Sequence, residues 1–434
     1  MTAHPRIHPT LQARLRTLRT GQPVRLIVEY DTTAAAPRVV ARRWAARHIA
    51  RTLPFMAVEV PADQVQVLAD EPYVRRVWED LPVRALLDVS VPKIRAPQVW
   101  ELGWTGEGIR VAVIDTGVDL EHPDVKDRVV ATVDFSGQGT VQDGGGHGTH
   151  VASIIAGSGA ASNGRYRGVA PAAELYIAKV LDDRGHGYMS QVIAGLDWAL
   201  AQQVHVVNVS LGTEIPCDGT DALSTACDAL VERGIVVCAA AGNSGPGEGT
   251  IGAPGCARRV ITVGASTDHD QVALFSSRGP TADGRTKPDV CFPGEGIVAA
   301  RAQGTHMGTP VDAYYTAASG TSMATPHCAG AVALLLEAEP HLSPEEVKRR
   351  LMETAVDLGL EPNIQGAGRG DIFAAVEAHG HVPPEETPEP TPPPEPTPTP
   401  EPEPTPSPPS GPGCLSVLLL PWLGVLSKVL GIGS

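Results

Sequence analysis

The sequence predicts an α/β domain, with helices on both faces of a mostly parallel central sheet, preceded by a small α+β unit. Three observations predict this. Short apolar runs alternate with helical stretches from residue 110 to 338, the rhythm of parallel strands joined by crossover helices. Hydrophobic residues make up 42% of the chain but aromatic residues only 4%, so the core is built from Ala, Val, Leu and Ile, which suits strands buried on both faces. A length of 434 residues exceeds one small domain and allows a large core.

The elements follow in order. Val24 to Tyr30 and Phe55 to Val60 alternate as strands do, with a helix expected from Ala41 to Thr52 and another starting near Pro61. Val74 to Asp80 and Val83 to Leu87 are strand-like runs. Residues 1–86 carry thirteen Arg and no Lys against eight acidic residues, while the whole chain has a formal net charge of -15. A basic leading segment on an acidic body reads as a noncovalently docked partner in cis, and the acidic total argues against nucleic acid. The central strands are Arg110 to Ile114, Leu175 to Val180, Val204 to Val209, Ile235 to Ala240 and Val260 to Val263. Helices are expected at Ser190 to Gln202, Asp221 to Glu232 and Thr325 to Ala338. Ser343-Pro-Glu-Glu346 opens another with a capping box.

Residues 383–412 are a linker, thirty residues with sixteen Pro, extending up to about 90 Å as polyproline II. Residues 413–434 form an apolar tail in which Cys414 to Ile432 carries one charge, Lys428, and is long enough to contact or span a membrane. Met1 to Gly21 has no apolar stretch of signal-peptide length, which favours a cytoplasmic or membrane-associated location over secretion. Seven Cys with no Cys-x-x-Cys pair indicate neither a zinc site nor a complete disulfide framework; Cys217, Cys227 and Cys256 could contribute one bridge. Cys238, Cys291 and Cys328 sit in apolar runs as small hydrophobes.

Four short glycine-flanked motifs carry the chemistry. Asp115 lies in Val-Ala-Val-Ile-Asp-Thr-Gly117, His147 in His-Gly-Thr-His150, Asn243 in Ala-Ala-Gly-Asn-Ser-Gly245, and Ser322 in Gly320-Thr-Ser-Met-Ala-Thr-Pro326. A serine hydroxyl is a poor nucleophile unless a base takes its proton and a third group fixes that base's tautomer. Ser322, His147 and Asp115 supply those functions, and the apolar helix after Ser322 puts its amide at a positive helix end that favours an oxyanion. Asn243 is the second oxyanion donor. His150 has one-turn metal-ligand spacing from His147, but no Glu stands between them, so zinc is not expected.

On these motifs the sequence resembles a subtilisin-like serine protease from about Arg84 to Val376, and Glu361 to Gly368 resembles the intracellular-type branch. The resemblance implies a subtilisin-like three-layer fold over residues 87–380, with residues 1–86 as a pro-segment removed by self-cleavage between about Val83 and Asp88. It implies an extended peptide or protein substrate held between Gly185-His-Gly187-Tyr188 and Asn208-Val-Ser210-Leu211-Gly212. Ala240, Ala241 and Gly252 would form the walls and floor of an open pocket for apolar side chains. No cofactor is implied for catalysis. Calcium is possible for stability, with Asp124 as the candidate ligand, although the partner loop 157–168 carries two Arg and departs from the family pattern. The alternative function is a noncatalytic scaffold on the same fold, tethered by its tail.

Overall fold

In the computed structural model the described residues are 4–31, 44–50, 53–80, 82–85 and 90–378; the expected linker and tail lie outside them. The N-terminal unit is a four-stranded antiparallel sheet in the order β2-β3-β1-β4, formed by β1 (Pro23–Tyr30), β2 (Ala45–Ile49), β3 (Phe55–Pro61) and β4 (Val74–Glu79). Alternation divides its side chains between two faces. Val24, Leu26, Val28, Met56, Val58 and Val77 pack with Leu11, Val65 and Leu68 of the helices Pro9–Leu15 and Val65–Asp70. Ile27, Phe55 and Trp78 point the other way, into the core of the larger domain. The helix expected over residues 41–52 is corrected here: Ala45–Ile49 is an edge strand, paired with β3 from Ala45↔Glu59 to Ile49↔Met56. Pairing with β3 outweighed the high helical propensity of Ala and Arg, which tertiary context overrides.

After β5 (Pro82–Ala85) the larger domain holds seven parallel strands: β6 (Arg110–Asp115), β7 (Val129–Asp134), β8 (Glu174–Lys179), β10 (Val206–Val209), β12 (Val236–Ala240), β13 (Ile261–Ser266) and β14 (Val290–Pro293). Their order is β14-β13-β12-β10-β6-β8-β7, and all six pairings are parallel. β6 shows why three layers form. Val111 and Val113 join the helices His147–Ala156 and Thr321–Ala338 on one face, while Ala112 and Ile114 join Met189–Ala201 and Ala222–Val231 on the other. β8, β10 and β12 divide in the same way.

The helix expected from Thr325 begins four residues earlier, at Thr321, so Ser322 lies inside its first turn. Ser343 and Glu346 form the expected capping box. No helix among the described residues is long and apolar enough to cross a membrane.

The N-terminal unit meets the larger domain through specific bonds as well as apolar contact. Asp80 is buried and accepts from Ser190 N–H (2.8 Å) and Ser190 Oγ (2.6 Å) in the first turn of the Met189–Ala201 helix, where a negative group is favoured. Trp78 Nε1 donates to Thr220 O (2.7 Å), Leu53 N–H to Asp197 Oδ1 (2.7 Å), and the Arg25 guanidinium lies 3.3 Å above the Tyr188 ring. The abundant arginines make ion pairs inside the unit, Arg14 with Glu79, Arg47 with Glu59 and Arg75 with Asp31.

Candidate active site

The C-terminal ends of the parallel strands converge where open α/β sheets place their ligands. Asp115 ends β6, Ser210 follows β10, and Asn243 stands three residues beyond β12. Asp115 Oδ1 accepts from Thr116 N–H (2.7 Å) and meets His147 Nδ1 at 2.6 Å, with both side chains buried. His147 reaches that position because it opens its helix where the helix meets the Asp115-Thr-Gly117 turn. Residue 148 must be glycine, since any Cβ there would collide with Gly117 O.

A buried carboxylate absent from the sequence expectations holds the same corner. Asp143 Oδ1 accepts from Thr116 Oγ1 (2.9 Å) and Gly146 N–H (2.7 Å), and Oδ2 from Thr149 N–H (2.8 Å) and Oγ1 (2.7 Å). Thr116 Oγ1 in turn accepts from Gly148 N–H (2.8 Å), so one network fixes the turn carrying Asp115 to the helix carrying His147. The available signal was an acid just upstream of a helix start, a capping pattern.

Ser322 is wholly buried, and its Oγ makes no hydrogen bond among the described residues. Pro326, four residues on, has no N–H to give Ser322 O, so that carbonyl lacks its intrahelical donor. Ser210 supplies one instead: its Oγ donates to Ser322 O (2.7 Å) while accepting from Asn208 Nδ2 (2.9 Å). Asn243 is oriented from the other side. Its Oδ1 accepts from Thr321 N–H (2.9 Å) and Thr321 Oγ1 (3.0 Å), which leaves Nδ2 as the outward donor. Thr321 is thus a positioning residue not singled out from the sequence.

Ala240, Ala241 and Gly252 lie together in the lining of one pocket of about 70 Å³, with Leu211, Gly212, Thr213, Glu214, Asn243, Ser244 and Ala253. Gly252 permits the close approach of its wall, since a Cβ would strike Thr213 O. Beside the pocket, β11 (Leu211–Gly212) and β9 (His186–Tyr188) do not pair with each other. β5 lies between them, antiparallel to both, with Val83↔Gly187 and Arg84↔His186 on one side and Arg84↔Gly212 and Ala85↔Leu211 on the other. Gly185 falls in the turn just before β9, its N–H donating to Asp182 O (2.9 Å).

Asp124, the calcium candidate, is held by protein donors. Asp124 Oδ1 accepts from Ala161 N–H (2.9 Å) and Oδ2 from the Tyr315 hydroxyl (2.7 Å), so protein donors use both oxygens. Residues 157–168 contain no carboxylate, and Tyr166 packs against the Tyr315 ring at 4.6 Å between centroids. His150 turns from His147 to Thr316 O (3.1 Å). Of the cysteines, Cys217 and Cys256 form a disulfide, whereas Cys227, Cys238, Cys291 and Cys328 are buried thiols.

Burial lowers the pKa of His150 to about 3 and that of His327 to about 4. A histidine held neutral in the folded state binds a proton more readily when unfolded, so its stabilisation is complete above pH 6.5 and is lost as pH falls toward the folded value. For His327 the loss is about 3 kcal/mol between pH 6.5 and 4. Thermal unfolding of the Ser322→Ala protein is expected to show the melting temperature falling across that window. His327→Gln should make the fall shallower; an equal slope in both proteins would assign the acid sensitivity elsewhere.

Known proteins are similar to this chain in sequence. Residues 106–368 match the model of the subtilase family, Peptidase_S8. The chain is 40% identical over 350 residues to the serine protease AprX of Bacillus subtilis, covering 74% of this chain and 77% of that protein. It is 37% identical over 333 residues to an alkaline protease of Shouchella clausii (76% and 80%), and 41% identical over 302 residues to subtilisin E of Bacillus subtilis (68% and 74%). Together with the seven-stranded parallel sheet and the site at its C-terminal edge, these matches establish that the chain belongs to the subtilase family of serine endopeptidases.

Proposed function

We propose that Ser322 is the nucleophile of this endopeptidase, His147 its general base and acid, Asp115 the carboxylate that orients His147, and Asn243 Nδ2 with Ser322 N–H the oxyanion donors. The observation that carries this reading is the buried 2.6 Å contact between Asp115 Oδ1 and His147 Nδ1 at the end of β6, next to the end of β10 where Ser210 holds the Ser322 backbone and where the Ser322 hydroxyl has no hydrogen bond among the described residues. Ser322 Oγ adds to the scissile carbonyl carbon and His147 takes its proton. The carbonyl oxygen gains the negative charge between the two N–H donors. Collapse expels the amine, which leaves with the proton from His147, and a water molecule then hydrolyses the acyl-enzyme by the same steps. Catalysis needs no cofactor. Labelling by a fluorophosphonate, present in the processed wild type and absent in Ser322→Ala, tests the assignment.

Residues 1–86 are the pro-segment in this reading, supported by the position of β5 between β9 and β11, where an extended substrate would add a strand. The register carries the cleavage site with it. Residue 84 faces Gly212 and residue 85 faces Leu211, so the next residue of a peptide held this way comes opposite Ser210, whose side chain bonds the Ser322 carbonyl. A substrate residue bound in that register would present its carbonyl to Ser322 and its side chain to the pocket beside Leu211. In the sequence the residue after Ala85 is Leu86, and the small and apolar part of the pocket lining, Leu211, Gly212, Ala240, Ala241 and Gly252, favours an apolar side chain, beside polar Thr213, Glu214, Asn243 and Ser244. Self-processing between Leu86 and Leu87 is therefore expected, and N-terminal sequencing of the processed enzyme should begin at Leu87. A start displaced by two or more residues would place a different register in the cleft. Membrane contact through residues 413–434 is the reading of their composition; cell fractionation of chains with and without them tests it.

A further inference from the structure

The pocket beneath Asn243 is lined by residues 211–214, 240–244 and 252–253, and the first and last of these belong to two longer segments, 211–217 and 251–256, that run side by side away from it. Few bonds join them. Thr213 N–H donates to Ala253 O (2.8 Å), Ala253 N–H to Thr213 Oγ1 (3.1 Å) and Cys217 N–H to Ile251 O (3.3 Å). Between these, Glu214, Ile215 and Pro216 are exposed and lie outside the large cores, with Ile215 at 52% exposure. The far end is closed covalently by the Cys217–Cys256 disulfide. Beyond it Arg285 donates to Asp218 O and Cys256 O, 2.8 Å each, so the base of both segments stays anchored whatever happens at the sulfurs.

We propose that Cys217–Cys256 is a thiol-exchange site through which redox state sets substrate affinity. The proposal rests on the assignment of the pocket to the substrate side chain. Oxidised, the bridge holds residues 213–217, of which 214–216 are exposed, against 251–256; reduced, it leaves them on hydrogen bonds alone, and the pocket that Thr213, Glu214, Gly252 and Ala253 line loses its fixed width. The chemistry is accessible from one side. Cys217 is half-buried whereas Cys256 is fully buried, so an external thiolate attacks Cys217 Sγ and Cys256 departs as the thiolate. The Ser224 hydroxyl, 3.4 Å from Cys256 Sγ, can donate to it. With a dithiol reductant, its second thiolate then attacks the mixed disulfide and releases Cys217. The reductant is oxidised to its own disulfide, its two protons pass to the two protein thiols, and no other oxidant or reductant takes part. The remaining thiols in the catalytic domain are buried and free, so they neither compete for Cys217 nor respond to the reductant.

The test uses processed wild-type enzyme, folded first and then treated with a dithiol, and the Cys217→Ser/Cys256→Ser double variant. Each is assayed with two peptides that differ only in having Leu or Gly at the residue whose carbonyl is attacked. Reduction is expected to raise KM for the Leu peptide about tenfold, the scale of a disturbed apolar pocket contact, and to leave kcat and the Gly peptide within about twofold. The double variant should start at the reduced value and ignore the dithiol. Alkylation mapped to Cys217 confirms that reduction occurred. With Cys217 alkylated, an unchanged KM overturns the proposal, as does an equal change for both peptides or a double variant that still responds. Fluorophosphonate labelling separates the two levels: labelling intact with KM unmoved rejects the redox site alone, whereas no labelling of the untreated wild type rejects the nucleophile assignment and this proposal with it.

Discussion

Ser322→Ala is expected to lower kcat for a peptide substrate by about 10⁶ and to leave the chain uncut between Leu86 and Leu87. The magnitude is that of the corresponding loss in subtilisin, a relative, and is carried over from it. The physical reason lies in this site. Ser322 Oγ is buried in the first turn of a helix and makes no hydrogen bond among the described residues. Ser210, the hydroxyl that reaches the Ser322 backbone, has its proton committed to Ser322 O. His147→Ala should cost a similar factor, and combining it with Ser322→Ala should add little, because the two act on one proton. Steady-state kinetics of the purified variants measure this. Retention of a tenth of the activity by Ser322→Ala would remove it from the nucleophile's role, and cutting of that variant in a protease-free host would end the case for self-processing.

Much of this site could be read in the linear sequence because its reacting groups sit at strand ends and helix starts, where short motifs report local geometry. Asp115 ends an apolar run, and Ser322 precedes an apolar helix; neither inference needed a distant contact. The Ala45–Ile49 strand was misread for the opposite reason. Nothing local distinguishes it from a helix, and its conformation comes from pairing with Phe55–Pro61. Asp143 and Asp80 were hidden in the same way. Each is an ordinary acid in sequence, and each becomes structural only when Thr116 and Thr149, or Ser190, are brought to it by the fold. Pro326 is the most instructive case: the helix expected from Thr325 starts at Thr321 and runs through Pro326, and the N–H that proline lacks is replaced by the Ser210 hydroxyl, just after β10. The Cys217–Cys256 pairing joins residues 39 apart in sequence and belongs to the pocket's tertiary geometry, so three partners remained equivalent until the fold was known.

Asn243→Leu is expected to reduce kcat by about 10²–10³ with little change in KM, the range known for the equivalent donor in subtilisin and borrowed from that relative. The structure makes a sharper version of the experiment possible. Because Oδ1 is held by Thr321 N–H and Thr321 Oγ1, the side chain is fixed by its acceptor end and works with its donor end. Asn243→Asp preserves the acceptor contacts and the shape, replacing only the outward N–H₂ with a second oxygen. A carboxylate there repels the developing oxyanion, so Asn243→Asp should be at least as damaging as Asn243→Leu although it is nearly isosteric. Thr321→Val keeps the backbone N–H contact and removes the hydroxyl one, so it loosens the amide without deleting it; about a tenfold loss in kcat is expected from such a misplaced donor. The discriminating measurement is kcat against KM for the three variants together. If Asn243→Asp were well tolerated while Asn243→Leu was not, the role of Asn243 would be to hold Thr321 and the helix start, and oxyanion stabilisation would rest on the Ser322 amide alone. The order expected when Nδ2 faces the oxyanion is a mild effect for Thr321→Val, with Asn243→Leu and Asn243→Asp both severe and all three confined to kcat.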